Sequence, residues 1–160
     1  MAPQDAVIEH PNRRKAASKV TKLLIILLLL VSAVLVAIVT IGGWDELQGA
    51  KALQVAYIVL YVLMAVLVAR WNRGVLPVAA ALAIVLLIFA AIAGPAWFDR
   101  DKEGFAQTGL DASVLGLVTL LIVPVQALLI LAAMSGFRQA WNVEVERHEE
   151  APPRAVPQPG

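Results

Sequence analysis

Residues 23–43 read LLIILLLLVSAVLVAIVTIGG, an apolar run without a single charged side chain. At about 1.5 Å of rise per residue, a helix of this length crosses a hydrocarbon layer of roughly 30 Å. Three further stretches also lack charged side chains, namely residues 52–69, 74–98 and 112–137. A helix on the surface of a soluble core carries polar residues on its outer face, and these stretches do not. The sequence therefore predicts four helices surrounded by lipid.

The composition of the chain agrees with a membrane domain. Hydrophobic residues make up 60% of the sequence and the mean hydropathy is +0.78, which is more apolar surface than a soluble core of 160 residues hides. The first run is longer than the apolar segment of a secretory signal and has no Ala-x-Ala at its exit, so we expect it to be retained as an anchor. The chain has no cysteine, which excludes disulfide exchange and thiolate metal sites.

We predict an all-α, integral membrane four-helix bundle with up-down-up-down order and both termini in the cytoplasm. Its layout resembles that of many small four-span bacterial membrane proteins, although no motif identifies a family. The predicted parts are a basic flexible tail at 1–21, a transmembrane domain at 22–137, a helical extension at 138–150 and a Pro-rich disordered tail at 151–160. The four spans are placed at about 22–43, 51–71, 74–98 and 111–137.

The orientation follows from the positions of the Lys and Arg residues. Ten of the 13 lie in the amino tail, the second connection and the carboxyl tail, whereas only Lys51, Arg100 and Lys102 lie on the opposite side. Positive residues near span ends resist translocation, so the richer side is cytoplasmic. A bacterial plasma membrane suits the alanine-rich composition. The four tryptophans, one at the carboxyl end of each span, fit the headgroup layer at which indole rings prefer to lie.

The residues absent from the spans restrict the possible functions. No Asp, Glu, Lys, Arg or His lies inside any of them, and pumps, proton-coupled carriers and voltage sensors depend on such groups. The two histidines, His10 and His148, lie in the tails, so an axial pair for haem is missing. A nucleophile with a neighbouring base is missing as well. We therefore predict no catalytic residue, no cofactor and no metal ion, and hence no enzyme.

Polar residues within the spans form two stripes. In span two the spacings of three and four place Gln54, Tyr57 and Tyr61 on one face, and in span four Thr119 and Gln126 share a face. Counting depth from the ends of these parallel spans predicts that Tyr61 meets Gln126, with Tyr57 near Thr119. Two readings remain open: hydrogen bonds that hold helices together, or a small polar cavity that receives a ligand.

Small residues and prolines also mark the last two spans. Ala79, Ala83, Ala90 and Gly94 form a seam in span three that lets another backbone approach closely, either in this chain or in another copy. In span four, Pro124 leaves the carbonyl of Leu120 without its usual donor and predicts a helix kink.

The third connection opens like a calcium loop. Residues 99–104 read DRDKEG, with oxygen ligands at alternate positions and then a glycine. The twelfth position, which requires a bidentate Glu, is Leu110, and Arg100 and Lys102 oppose a cation. A solvated polar loop is therefore the prediction.

Two functions remain after these exclusions. The first is a non-catalytic accessory or scaffold subunit that packs against other membrane proteins or itself through its small-residue seams. The alternative is a passive channel or carrier for a neutral or amphipathic solute, lined by Tyr57, Tyr61, Thr119 and Gln126. In both cases the surrounding partner is the lipid bilayer, and nothing in the sequence favours nucleic acid.

Overall fold

A computed structural model describes residues 7–102, 104–105 and 107–147. Four long helices form most of it, and each is long and apolar enough to cross a membrane. In chain order the elements are strand β1 (Val7–Glu9), a short helix α1 (Pro11–Arg14), the long helix α2 (Ala16–Gly42), a 3-10 turn (Gln48–Ala50), the long helices α3 (Lys51–Ala69), α4 (Val75–Asp99) and α5 (Ala112–Arg138), and strand β2 (Val145–Arg147). The predicted tail at 151–160 lies outside the described residues.

The long helices do not pack in the order of the chain. Helix α4 packs most extensively on α5, and α2 packs on both α3 and α5, whereas α3 and α4 touch little. The short turn at 70–74 predicts an antiparallel hairpin of α3 and α4, and their antiparallel order stays a prediction. In the structure each of these two helices packs mainly on another neighbour and little on the other. Arg73 Nε donates a 2.7 Å hydrogen bond to the carbonyl oxygen of Phe137 on α5.

The small-residue seams are used between helices of this chain. Ala79, Ala83 and Ala90 on α4 are buried, and a Cβ placed on Gly94 would lie 2.5 Å from Cδ2 of Leu120 on α5. Gly116 on α5 likewise leaves room for the ring of Phe98. The close approach of α4 and α5 therefore depends on residues that lack large side chains.

Residues 7–9 and 145–147 meet at one end of the bundle, which we call the tail end. Strands β1 and β2 pair there in antiparallel register, with Ile8 opposite Glu146. Arg13 Nε donates to the carbonyl oxygen of Trp141 at 3.1 Å, and Asn12 donates to that of Ala140 at 3.0 Å. The opposite end, which we call the loop end, holds the segments at 43–50 and 100–111.

This arrangement corrects two predicted segments. Residues 7–21 contain β1, α1 and the first turn of α2, which begins at Ala16, instead of a flexible tail to residue 21. Of the helical extension predicted at 138–150, the described residues 139–147 are not helical, because α5 ends at Arg138 and β2 follows, and residues 148–150 lie outside the described part of the chain. Ala140 has a φ of 50°, outside the helical range, which turns the chain so that Trp141 packs beneath the bundle.

Candidate functional site

A chain of hydrogen bonds joins three helices in the middle of the bundle. The Tyr61 hydroxyl on α3 donates to Gln126 Oε1 on α5 at 2.8 Å, and Gln126 Nε2 donates to Ser32 Oγ on α2 at 2.8 Å. Ser32 in turn donates to the carbonyl oxygen of Leu28 at 2.6 Å. Tyr61, Gln126 and Ser32 are each 0% exposed. The predicted contact between Tyr61 and Gln126 is therefore present, and each of the three buried side chains has a hydrogen-bond partner.

Ser32 is the member of this group that sequence reasoning missed. It stands with Thr40 as one of two hydroxyl residues in the apolar run of residues 23–43. The signal that could have found it is the spacing of eight between these residues, which puts them about 80° apart around a helix, within one broad buried face. A buried hydroxyl in lipid needs a partner, and the amide of Gln126 supplies one.

A second polar contact lies nearer the loop end. The Thr40 hydroxyl is 2.6 Å from the carbonyl oxygen of Val36 and 2.5 Å from the side-chain amide of Gln54. The hydroxyl has one proton, so it donates to one of these two oxygens, Val36 O or Gln54 Oε1. This contact joins α3 to α2 and gives the side-chain amide of Gln54 one hydrogen-bond partner.

Tyr57 and Thr119 have separate partners. The Tyr57 hydroxyl donates to the carbonyl oxygen of Leu82 on α4 at 3.3 Å, and the Thr119 hydroxyl donates to that of Leu115 at 2.7 Å within its own helix. The ring of Tyr57 stands edge-on to that of Tyr61, with centroids 5.6 Å apart. Tyr57 and Thr119 both line a cavity between α3 and α4, whereas Tyr61 and Gln126 do not.

The sparse contact between α3 and α4 leaves a cavity of about 390 Å³. It extends from the level of Tyr57 and Leu86, in the middle of the bundle, to the loop end. Val36 and Val39 of α2 close its base, together with Thr119 and Ile122 of α5. Its α4 wall is apolar and includes Phe89, Ala90, Ala93 and Trp97. Because the rim residues Phe89 and Leu53 are exposed, the cavity opens sideways between the two helices.

An ion pair lies at the loop end of this cavity. The Arg100 guanidinium, just after α4, pairs with the Glu46 carboxylate, and both residues line the cavity. Arg100 also lies over the ring of Trp97, 5.6 Å from its centroid. The indole of Trp97 fills the space that the absent side chain of Gly43 leaves. The cavity is therefore apolar along its length and carries both signs of charge at one end.

The tryptophans divide into two kinds. Trp44 is 46% exposed, as expected for a ring at the headgroup layer, and Lys51 Nζ lies 4.7 Å from its centroid. Trp97 and Trp141 are buried by protein instead. Trp141 stands edge-on to Trp71 at 5.3 Å, and Lys22 Nζ lies 4.1 Å from the Trp71 ring. All four rings lie near the carboxyl ends of the long helices, and their depth at the lipid headgroups stays a prediction, but Trp97 and Trp141 are covered by protein.

Two further predicted features have a position in the structure. Pro124 lies inside α5 without ending it, and the predicted kink stays a prediction. At the loop end, in the segment that opens like a calcium loop, Lys102 Nζ pairs with Asp99 at 3.3 Å, and the Leu110 N–H donates to the Gly42 carbonyl oxygen. Among the described residues, no group of three or more His, Asp or Glu side chains is placed to hold a metal ion.

Comparison of the chain with family models, with curated proteins and with solved structures finds no match. The geometry of the cavity and of the hydrogen-bonded chain is thus the basis for a functional proposal.

Proposed function

We propose that this protein binds an amphipathic molecule in the cavity between α3 and α4 and acts as a passive, non-catalytic carrier for it. One observation carries the proposal. Two helices that are joined by a short turn leave an apolar cavity of about 390 Å³ between them, open to the side on which lipid would lie. Ligand cavities in proteins typically have volumes of about 300–1,000 Å³.

The size of the cavity favours a small molecule over a helix of another protein. Leu86 and Trp97 mark its length on α4, and 11 residues at about 1.5 Å each give about 16 Å. A helix with its side chains is about 10 Å across, whereas an extended alkyl chain is much narrower and needs less separation of α3 from α4.

The polar groups at the base of the cavity also favour an apolar occupant. The hydroxyls of Tyr57 and Thr119 bond to backbone carbonyl oxygens, and Gln54 bonds to Thr40. These groups present few free donors to a ligand. A hydrocarbon chain loses no hydrogen bond when it lies against them, whereas a polar solute would leave its own groups unpaired.

The accessory or scaffold role remains the second proposal. It rested on small-residue seams that a partner helix would need, and in this chain α4 and α5 use those seams on each other. An accessory role would have to use other apolar faces, which lipid covers equally well. The carrier therefore has the stronger support.

The proposed setting is a bacterial plasma membrane, with up-down-up-down helices and both termini in the cytoplasm. The excess of Lys and Arg on the tail side supports this orientation. The pairing of β1 with β2, which brings the two ends of the chain together, is consistent with an even number of crossings. No cofactor is part of the proposal.

Photo-crosslinking tests the carrier proposal. The purified full chain, in micelles of a sugar-headed detergent, is exposed to a 12-carbon alkyl probe with a diazirine near its chain end, and peptide mass spectrometry locates the label. We expect label on Phe89, Ala90 and Thr119, which line the cavity. Label spread evenly over exposed residues outside the cavity, such as Val59, would contradict the proposal.

A matched pair of variants sharpens this test. Ala93→Phe places a ring in the cavity, and Ala91→Phe places the same ring on an exposed part of α4 outside it. We expect Ala93→Phe to reduce labelling of Thr119 at least fivefold and Ala91→Phe to leave it unchanged. Equal labelling in the two variants would mean that the probe does not enter the cavity.

A further inference from the structure

We infer that the ligand is a single-chain amphipath with a zwitterionic headgroup, whose anionic part pairs with Arg100 and whose cationic part pairs with Glu46. This inference rests on the proposed function and adds the identity of the headgroup. It is carried by the position of one ion pair at the end of an otherwise apolar cavity.

The ion pair is placed where a headgroup would lie. It is at the loop end, just beyond the last turn of α4, and the Arg100 guanidinium lies over the indole of Trp97, which also lines the cavity. Side-chain exposure of 38% for Arg100 and 24% for Glu46 leaves both charged groups within reach of a ligand. A chain that lies along the cavity with its polar group at this end would have that group beside both residues.

The presence of both charges selects among headgroups. An anionic headgroup beside Arg100 also lies beside the Glu46 carboxylate, which repels it. A cationic headgroup beside Glu46 is repelled by Arg100 in the same way. Like charges brought together in a partly desolvated site are costly, which makes them a means of rejecting a ligand. A headgroup with a phosphate and an amine replaces the original pair by two new ones, and Arg binds phosphate well.

The volume of the cavity limits the number of chains. A volume of about 390 Å³ lies near the lower end of the range of roughly 300–1,000 Å³ that is typical of ligand cavities, which suits one alkyl chain better than two. The second chain of a diacyl lipid would have to lie outside, against the exposed rim residues.

The inference is tested by comparing headgroups on one chain. Four diazirine probes are used on the full chain in sugar-headed detergent: a 12-carbon phosphocholine, a 12-carbon phosphate monoester, a 12-carbon quaternary ammonium and a diacyl phosphatidylcholine. We expect the single-chain phosphocholine to label Ala90 and Thr119 at about one tenth of the concentration that the other three need.

Charge variants assign the selectivity to the two residues. We expect Glu46→Gln to remove the preference over the phosphate probe, and Arg100→Gln to remove the preference over the ammonium probe. The double exchange Glu46→Arg with Arg100→Glu keeps a pair and is expected to keep the preference for the zwitterion. The control is Asp99→Asn with Lys102→Gln, because that exposed pair lies at the same end but outside the cavity.

The outcomes separate this inference from the proposed function. If all three single-chain probes label the cavity equally, the headgroup inference is wrong and the carrier proposal stands. If no probe labels the cavity, both are wrong. If the diacyl probe labels as well as its single-chain counterpart, the limit to one chain is wrong.

Discussion

The Tyr61 hydroxyl donates a 2.8 Å hydrogen bond to Oε1 of Gln126, 65 positions away in sequence, and neither residue is exposed. Gln126 donates in turn to Ser32 at 2.8 Å, so that three helices share one chain of hydrogen bonds. In hydrocarbon no water replaces a lost partner, and the helices gain little from apolar contact alone, because lipid offers the same contact. These bonds therefore fix which helices are neighbours more than they add to total stability.

A double-mutant cycle measures the Tyr61–Gln126 bond. Tyr61→Phe removes the donor and Gln126→Leu removes the acceptor. We expect a coupling free energy of about 0.6–1.7 kcal/mol, as hydrogen bonds between membrane helices typically give, from unfolding curves in mixed detergent. The control cycle pairs Tyr61→Phe with Thr119→Val, since Thr119 bonds only to its own helix, and should be additive. A first cycle that is also additive would contradict the role assigned to the bond.

Gly94 tests the close contact of α4 and α5. A Cβ at Gly94 would lie 2.5 Å from Cδ2 and 2.7 Å from Cγ of Leu120, so Gly94→Val must displace that side chain. We expect a loss of about 1–3 kcal/mol in the free energy of unfolding, typical of overpacking. The control is Gly49→Val, because a Cβ at Gly49 meets no atom within 4 Å. Equal stability of the two variants would show that this contact is looser than the structure indicates.

Trp141 tests the packing at the tail end. Its ring is 0% exposed, stands edge-on to Trp71, and its Nε1 donates to Gln139 Oε1 at 3.0 Å. We expect Trp141→Ala to cost about 3–5 kcal/mol in the free energy of unfolding, as other large buried aromatic residues do. Trp44→Ala, at a half-exposed ring, should cost far less. If thermal unfolding shows the opposite order, Trp141 does not hold the chain end to the bundle.

The proposed orientation has its own test. Green fluorescent protein fused to either terminus should fluoresce in cells, and alkaline phosphatase inserted after Gly104 should be active, because positive residues near the spans keep the tail end in the cytoplasm. Removal of positive charge provides the control: Arg70→Gln with Arg73→Gln lowers the excess of positive residues at the tail end, so a smaller share of the protein should insert in this orientation. Fluorescence from only one terminus would contradict an even number of crossings.

The sequence predicted the tyrosine–glutamine contact and left open a small polar cavity lined by Tyr57, Tyr61, Thr119 and Gln126. The cavity in the structure is mainly apolar, and of these four residues only Tyr57 and Thr119 line it. The depth of a residue in its span follows from the number of residues between it and the end of that span. Tyr61 and Gln126 could therefore be matched by counting residues. The position of Arg100 beside Glu46 depends on how α4 lies relative to the segment at 43–50, and the spacing of residues in the sequence does not predict that arrangement. The tail-end packing was missed for a related reason: a strand pair that joins residues 7–9 to 145–147 leaves no short-range pattern in such brief segments.

By itself, the sequence determined that four helices are long and apolar enough to cross a membrane, and about where each begins and ends. The physical reason is that a single charge inside a span costs about 2.5–3.5 kcal/mol, so the length of a charge-free run determines a span without reference to its neighbours. Only the tertiary structure decided that α4 lies against α5 and leaves a cavity beside α3. Apolar helices gain nearly as much from lipid as from each other, and the choice therefore falls to a few small residues and hydrogen bonds.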